Sequence, residues 1–321
     1  MSVVAEEASL TPDQPLAEWG RVALRERVAA LVRAIPGARD AADSEGLRRL
    51  RVATRRLDTA MRIYEPCFAG AAFVRLSREA RRARRRCGAV RDLEVLIEYL
   101  EAERVALQGI ERLAMRCWLA QVHGERADRR RELETTLDWL EGRDLERQAE
   151  VVVANGGDRA SLPLSFRQAA PPQLLERYRD LITYVEYVDQ PDAETELHAM
   201  RISVKRLRYA MEIFAPSYVD ALKGELQTAR RLQKHLGDLH DSDVRRERLA
   251  ALHQQPPGKK AMRRAAPATA TDLQQGLPLL LAREEARRAE IYQEFRGYWH
   301  ELERGSFPES LHVRLQNPND A

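Results

Sequence analysis

Leu47-Arg-Arg-Leu-Arg-Val-Ala-Thr-Arg-Arg-Leu-Asp-Thr-Ala-Met-Arg-Ile-Tyr-Glu-Pro66 and Leu197-His-Ala-Met-Arg-Ile-Ser-Val-Lys-Arg-Leu-Arg-Tyr-Ala-Met-Glu-Ile-Phe-Ala-Pro216 align without a gap, and eight positions are identical. Leu47, Leu50, Leu57 and Met61 recur every three to four residues, as do Leu197, Met200, Leu207 and Met211, so each copy reads as an amphipathic helix with one core face. Pro66 and Pro216 are predicted stops. A further helix then leads to a second matching pair, Cys87-Gly-Ala-Val-Arg-Asp-Leu-Glu-Val95 and Leu236-Gly-Asp-Leu-His-Asp-Ser-Asp-Val244, with the register shifted by one residue. Gly88 and Gly237 are predicted C-caps, and Asp92 and Asp241 are predicted to cap the next helix and to orient a nearby arginine.

Working outward, each half opens with a helix, about 16–34 and 173–188, and closes with a longer one carrying Trp139 or Trp299. Breaks are expected at Pro36-Gly37 and at the other prolines and glycines between helical runs. The prediction is an all-α chain of two pseudo-symmetric antiparallel four-helix bundles that arose by internal duplication. Its expected organisation is a disordered tail at 1–12, a first half at 13–154, a linker at 155–172, a second half at 173–305 and a C-terminal tail at 306–321. Residues 254–271 read as a basic loop.

Composition narrows the function classes. The chain has 321 residues, of which 32% are charged, and its apolar runs are too short to build a membrane-spanning helix. The N-terminus lacks a basic start followed by an apolar run, so a cytoplasmic protein is expected. Cys67, Cys87 and Cys117 have no metal-ligand spacing and read as reduced structural thiols. The 53 basic and 50 acidic residues nearly cancel, so bulk charge names no partner. Only five of the basic residues are lysine, which a GC-rich genome explains without function; arrangement, not number, carries information.

That arrangement repeats. Arg51, Arg55 and Arg56 recur as Arg201, Lys205 and Arg206, whereas a merely solvated face tolerates any polar residue. Helical spacing puts Arg48, Arg51 and Arg55 on one stripe, and likewise His198, Arg201, Lys205 and Arg208. The following helices offer Arg78, Arg82 and Arg85, and Arg230, Arg231, Lys234 and His235. Facing a common groove, these stripes would form a positive channel for a polyanion. Solvated faces, or internal ion pairs such as Arg51 with Asp92 and Arg201 with Asp241, account for the same residues without any ligand.

The motif Leu-His-x-x-Arg-Ile-x-x-Lys-Arg-Leu-Arg-Tyr at 197–209 with Leu-Gly-Asp-Leu-His-Asp at 236–241, echoed at 47–57 and by Arg91-Asp92, resembles the CHAD family, the conserved-histidine α-helical domain. The resemblance covers nearly the whole chain. It implies binding of inorganic polyphosphate in a basic central groove, association with polyphosphate granules, and ligand contacts from Arg48, Arg51, Arg55, Arg82, Arg85 and Arg91 in the first half. In the second half it implies His198, Arg201, Lys205, Arg208, Arg231, Lys234 and His240. The first half departs from the pattern: Arg48 and Arg91 stand at the positions of His198 and His240, and Asp58 at that of Arg208. Only the two histidines would then make binding pH-dependent, and Asp58 argues against an equal grip by both halves.

Other functions are weighed against this one. The His240-Asp241 dipeptide is like that of metal-dependent HD phosphohydrolases, but its counterpart is Arg91-Asp92, and a guanidinium cannot ligate a metal. No Walker loop, zinc helix or dinucleotide turn is present in the sequence, so no enzyme, metal or cofactor is expected. Single-stranded nucleic acid or another polyanion is the nearer alternative, though such binders interleave aromatic platforms with their charges. Tyr64 and Phe214 are in core register, and Tyr209 alone can reach a ligand. The expected partner is inorganic polyphosphate, with neither a membrane nor a specific nucleic acid, and a scaffold remains the third reading.

Overall fold

The computed structural model describes residues 10–40, 43–68, 70–155, 164–218, 221–255 and 270–318. Among them every regular element is helical: α1 (Leu16–Arg39), α2 (Ser44–Ile63), α3 (Ala71–Arg104), α4 (Gly109–Glu141), α5 (Leu145–Asn155), α6 (Phe166–Ile182), α7 (Glu194–Phe214), α8 (Lys223–Gln254), α9 (Ala270–Arg304) and α10 (Phe307–Gln316), with three short 3-10 turns. The all-α expectation holds. Four long helices and a short fifth follow one another in each half, and sequential helices pack side by side.

Local chemistry sets the ends. Asp43 caps α2 by accepting a hydrogen bond from the Gly46 amide at 2.8 Å. Ser165 and Gln168 form a reciprocal capping box on α6. Pro66 and Pro216 sit in the 3-10 turns after α2 and α7, as stops should. The starts of α1 and α6 meet: Pro15 and Ser165 form an antiparallel bridge, and Trp19 stacks on Phe166 with centroids 4.0 Å apart.

Several sequence expectations are corrected. Gly88 and Gly237 are not C-caps but interior residues of α3 and α8, helices of 34 and 32 residues. The flanking apolar periodicity outweighs the roughly 1 kcal/mol helix penalty of a single glycine. Asp92 and Asp241 are therefore mid-helix and cap nothing. Helix α1 runs through Pro36, and α6 begins at Phe166 and runs through Pro171 and Pro172, inside the segment read as linker. The stretch read as a C-terminal tail supplies α10, whose Leu311 and Leu315 are buried against the core. Residues 1–9 of the expected N-terminal tail and 256–269 of the basic loop lie outside the described residues.

The cores do not divide at the chain midpoint. One runs through both halves, joining Leu24, Leu50, Leu57 and Met61 to Phe166, Met200, Leu207, Phe214 and Trp299. The other lies between the C-terminal parts of α3 and α8 and the N-terminal parts of α4 and α9. Gly276 of α9 makes the α4 crossing possible, because a Cβ there would stand 2.6 Å from the Ile110 carbonyl oxygen. Packing thus fixes the two halves against each other and brings α2 and α7, the repeated helices, together at the centre. The three cysteines are free and buried, in keeping with a structural role.

Candidate functional site

The apolar faces of α2 and α7 are committed to the core, so their basic residues lie on the faces turned away from it. Lys205 of α7 is the centre of that arrangement. Burial pushes its ammonium down to about 8, and the charges of Arg201, Arg84, Arg206 and Arg51 add to the effect. These five cations come from α2, α3 and α7. Among the described residues no carboxylate lies within ion-pair distance of Lys205, whereas Arg51 pairs with exposed Asp92 at 3.2 Å. Arg201 acts electrostatically on Asp241 and passes beside Gly237, its Nε 3.9 Å from where a Cβ would stand, an ordinary contact distance.

Cations extend from Lys205 in both directions. At one end His198 and His240 bring their Nδ1 atoms to 2.9 Å, with ring centroids 4.0 Å apart. One Nδ1 donates and the other accepts, so the pair is most stable when at least one ring is neutral. Burial, then Arg201, His198 and Lys205, push His240 down to about 4. Burial, then Arg201 and Lys205, lower His198 as well. At the other end Arg206 is 3.7 Å from Asp180, and Arg177 of α6 is destabilised as a cation by burial and then by Arg206 and Arg62. Arg55 lies over the Tyr209 ring at 4.7 Å, where burial again disfavours its charge, as do Arg208 and Arg51.

The structure therefore brings together Arg51, Arg55, His198, Arg201, Lys205 and His240 of the residues singled out from sequence. The others have different surroundings. Arg48 makes a bidentate pair with Glu45, Lys234 pairs with Asp238 at 2.6 Å, and Arg91 bonds Glu98 and Glu94 of its own helix. Arg208 is buried, bonding Gln233 at 2.7 Å and Glu212. Arg82 lies over Trp139 on the α4 side of α3, and Arg231 over Tyr298. Arg85 is exposed.

Sequence reasoning missed Arg62, Arg84, Arg177 and Arg206 as members of this cluster. Arg206 is one of the repeated cations and Arg84 flanks the α3 stripe, so both were visible. Which α3 arginines face α2 is decided by Asp58: it is buried, and Arg62, Arg81 and Arg84 stand 3.2, 3.5 and 3.6 Å from it. Arg177 lies in neither repeated motif.

Aromatic rings in this region are covered. Tyr209 carries Arg55 on its ring and Arg208 at 4.3 Å, and it is itself buried. It offers no open face for a base. Among the described residues no three His, Cys, Asp or Glu side chains converge as metal ligands, and no helix is long and apolar enough to cross a membrane. His240 spends its Nδ1 on His198.

Known proteins give the following matches. The family model for the CHAD domain matches residues 22–250. The solved structure of the CHAD domain from the plant Ricinus communis superposes with a TM-score of 0.61 at 22% identity, covering 84% of this chain and 93% of that one. PptA from Streptomyces chartreusis superposes with a TM-score of 0.57 at 16% identity, covering 89% of this chain and 100% of that one. No curated protein matches the sequence.

Proposed function

The chain belongs to the CHAD family, and from that premise we propose that it binds inorganic polyphosphate through the cation cluster shared by α2, α3, α7 and α8, and associates with polyphosphate granules. One observation carries the reading: Lys205 is partly buried among Arg51, Arg84, Arg201 and Arg206, and among the described residues no carboxylate lies at ion-pair distance from it. Concentrating like charges in a desolvated place destabilises a free protein, and a polyanion removes that cost. Each phosphate of a linear chain brings about one negative charge, arginine forks engage neighbouring oxygens, and released counterions make the affinity fall with salt.

The binding surface in this reading is narrower than the sequence stripes suggest. It consists of Arg51, Arg55, Arg84, Arg201, Lys205 and Arg206, with the two histidines at one end and Arg62 and Arg177 at the other. Covered aromatics favour a ligand made of phosphates over one that must stack bases. Calorimetric titration with long-chain polyphosphate, with single-stranded RNA and triphosphate as competitors at two salt concentrations, tests this. The expected result is tight, salt-sensitive binding that RNA does not displace and that Arg201→Ala and Lys205→Ala each weaken without unfolding the protein. Unchanged affinity in both variants would overturn the assigned surface.

A further inference from the structure

We propose that the other side of α3 carries a second, separate site for a small phosphate-bearing anion, in a cavity lined by Arg75, Arg143, Arg147 and Gln148. The cavity has a volume of about 270 Å³, and Ala72, Gly142, Asp144 and Val151 complete its lining. That is room for one small ligand, at the lower edge of the range for compact ligand pockets.

Three observations converge on an anion. First, among the described residues none of Arg75, Arg143 and Arg147 has a carboxylate within ion-pair distance, although most arginines elsewhere in the chain do. Second, the α5 N-terminus opens here; its N-cap Asp144 accepts from the Arg147 amide at 3.0 Å, and its carboxylate offsets part of the positive potential that the remaining first-turn amides supply. Third, Glu79 lies behind the wall, only 5% exposed, and its Oε2 has no hydrogen-bond partner. Burial raises its hold on a proton, against the opposing influence of Arg143, Gln148 and Arg75. The arrangement suits a phosphate group, which arginine forks bind bidentately.

This site is distinct from the central cluster because α3 separates them. Arg81 and Arg84 face Asp58 of α2, while Arg82 and Arg143 each lie over Trp139, 4.9 Å from its ring centroid. Trp139 is also a built-in reporter. Trp19, Trp118 and Trp299 are buried, so of the four indoles it is the partly exposed one, with Arg143 between it and the cavity wall.

The test is a titration of the full-length protein, labelled with ¹⁵N-tryptophan, with pyrophosphate and in parallel with a nucleoside monophosphate; Trp139→Phe assigns the signal. A saturable shift of the Trp139 indole resonance is expected, retained in Arg201→Ala and weakened roughly tenfold or more in Arg143→Gln/Arg147→Gln, which removes two charge-assisted contacts. Saturation by pyrophosphate alone identifies a free phosphate site, and saturation by both identifies a phosphomonoester site. The absence of a saturable shift with either, or equal affinity in the double variant, overturns the proposal. Long-chain polyphosphate binding at the central cluster is measured separately, so failure of one site leaves the other standing.

Discussion

The same junction is built with opposite charges in the two halves. In the first, Asp58 is buried and Arg62, one turn on, approaches it at 3.2 Å, with Arg81 and Arg84 of α3 behind. In the second, the aligned residues are Arg208, which is buried, and Glu212, which bonds it; Gln233 of α8 accepts from Arg208 where α3 has Arg84, and Arg230 stands 3.5 Å from Glu212 where α3 has Arg81. An inside acid with outside bases has become an inside base with an outside acid. Both junctions hold the repeated helix against the one that follows, through Arg81 and Arg84 on Asp58 in the first and through Arg208 on Gln233 and Arg230 on Glu212 in the second. Asp58, which in the sequence argued for a weaker grip by the first half, is thus the residue that gathers Arg62 and Arg84 at the first junction.

The largest effects are expected where that polarity is broken. Asp58→Arg puts a fourth cation into a buried cationic junction and should destabilise the protein by at least about 3 kcal/mol; Asp58→Ala, which leaves partly exposed arginines unpaired, should cost about 2 kcal/mol. Adding Arg62→Glu and Arg84→Gln to Asp58→Arg copies the second half and should recover most of the loss in urea denaturation. If the triple variant is no more stable than Asp58→Arg alone, the two junctions are not equivalent.

Next in size is Lys205, which the structure strains and the junctions do not. Lys205→Met removes a desolvated cation that has no counter-charge among the described residues, so it should raise the urea midpoint, by about 1 kcal/mol of stability, while weakening polyphosphate binding roughly tenfold. Loss of both stability and binding would mean that Lys205 packs rather than pays. Its pH signature has a definite sign. The folded ammonium titrates at about 8 against an ordinary 10.5, so between these values the unfolded chain binds more protons and the stability of the free protein rises with pH. Polyphosphate prefers the charged form, so affinity should fall as the pH rises above about 8, and this fall should vanish in Lys205→Met. Toward pH 4 affinity should rise as His240 gains a proton, a rise that His240→Gln removes.

How much of this was legible follows from what each residue's neighbours are. The helices, their apolar faces and the core residues were readable because periodicity is local; Leu47, Leu50, Leu57 and Met61, and Leu197, Met200, Leu207 and Met211, are buried as their spacing predicts. The glycines misled because Gly88 and Gly237 carry turn propensity, while the decision to continue α3 and α8 is made by apolar contacts tens of residues long. The second core between α3, α4, α8 and α9 was not legible at all, since nothing local says that the ends of two helices from each half will pack together. In the candidate site, Arg51, Arg201 and Lys205 were marked by their repetition. Arg84 needed the position of Asp58, and Arg177 needed the approach of α6 to α2 and α7, both of which are tertiary facts.

The smallest effects are expected at the stripe residues whose charges are already met on their own helix. Arg48 and Glu45 lie three residues apart and Lys234 and Asp238 four, all well exposed, so each pair contributes little to stability. A polyanion approaching either side chain meets a carboxylate beside it, which offsets the long-range attraction that the Lys205 cluster offers unopposed. Arg48→Ala and Lys234→Ala should therefore change polyphosphate affinity by less than about twofold, against roughly tenfold at Lys205. Glu45→Gln and Asp238→Asn make the same point in reverse, freeing a cation and strengthening binding slightly at low salt, with the gain screened away as ionic strength rises. Equal losses for Arg48→Ala and Lys205→Ala would show that the ligand follows the whole helical stripe, and that being paired on the same helix does not remove an arginine from the binding surface.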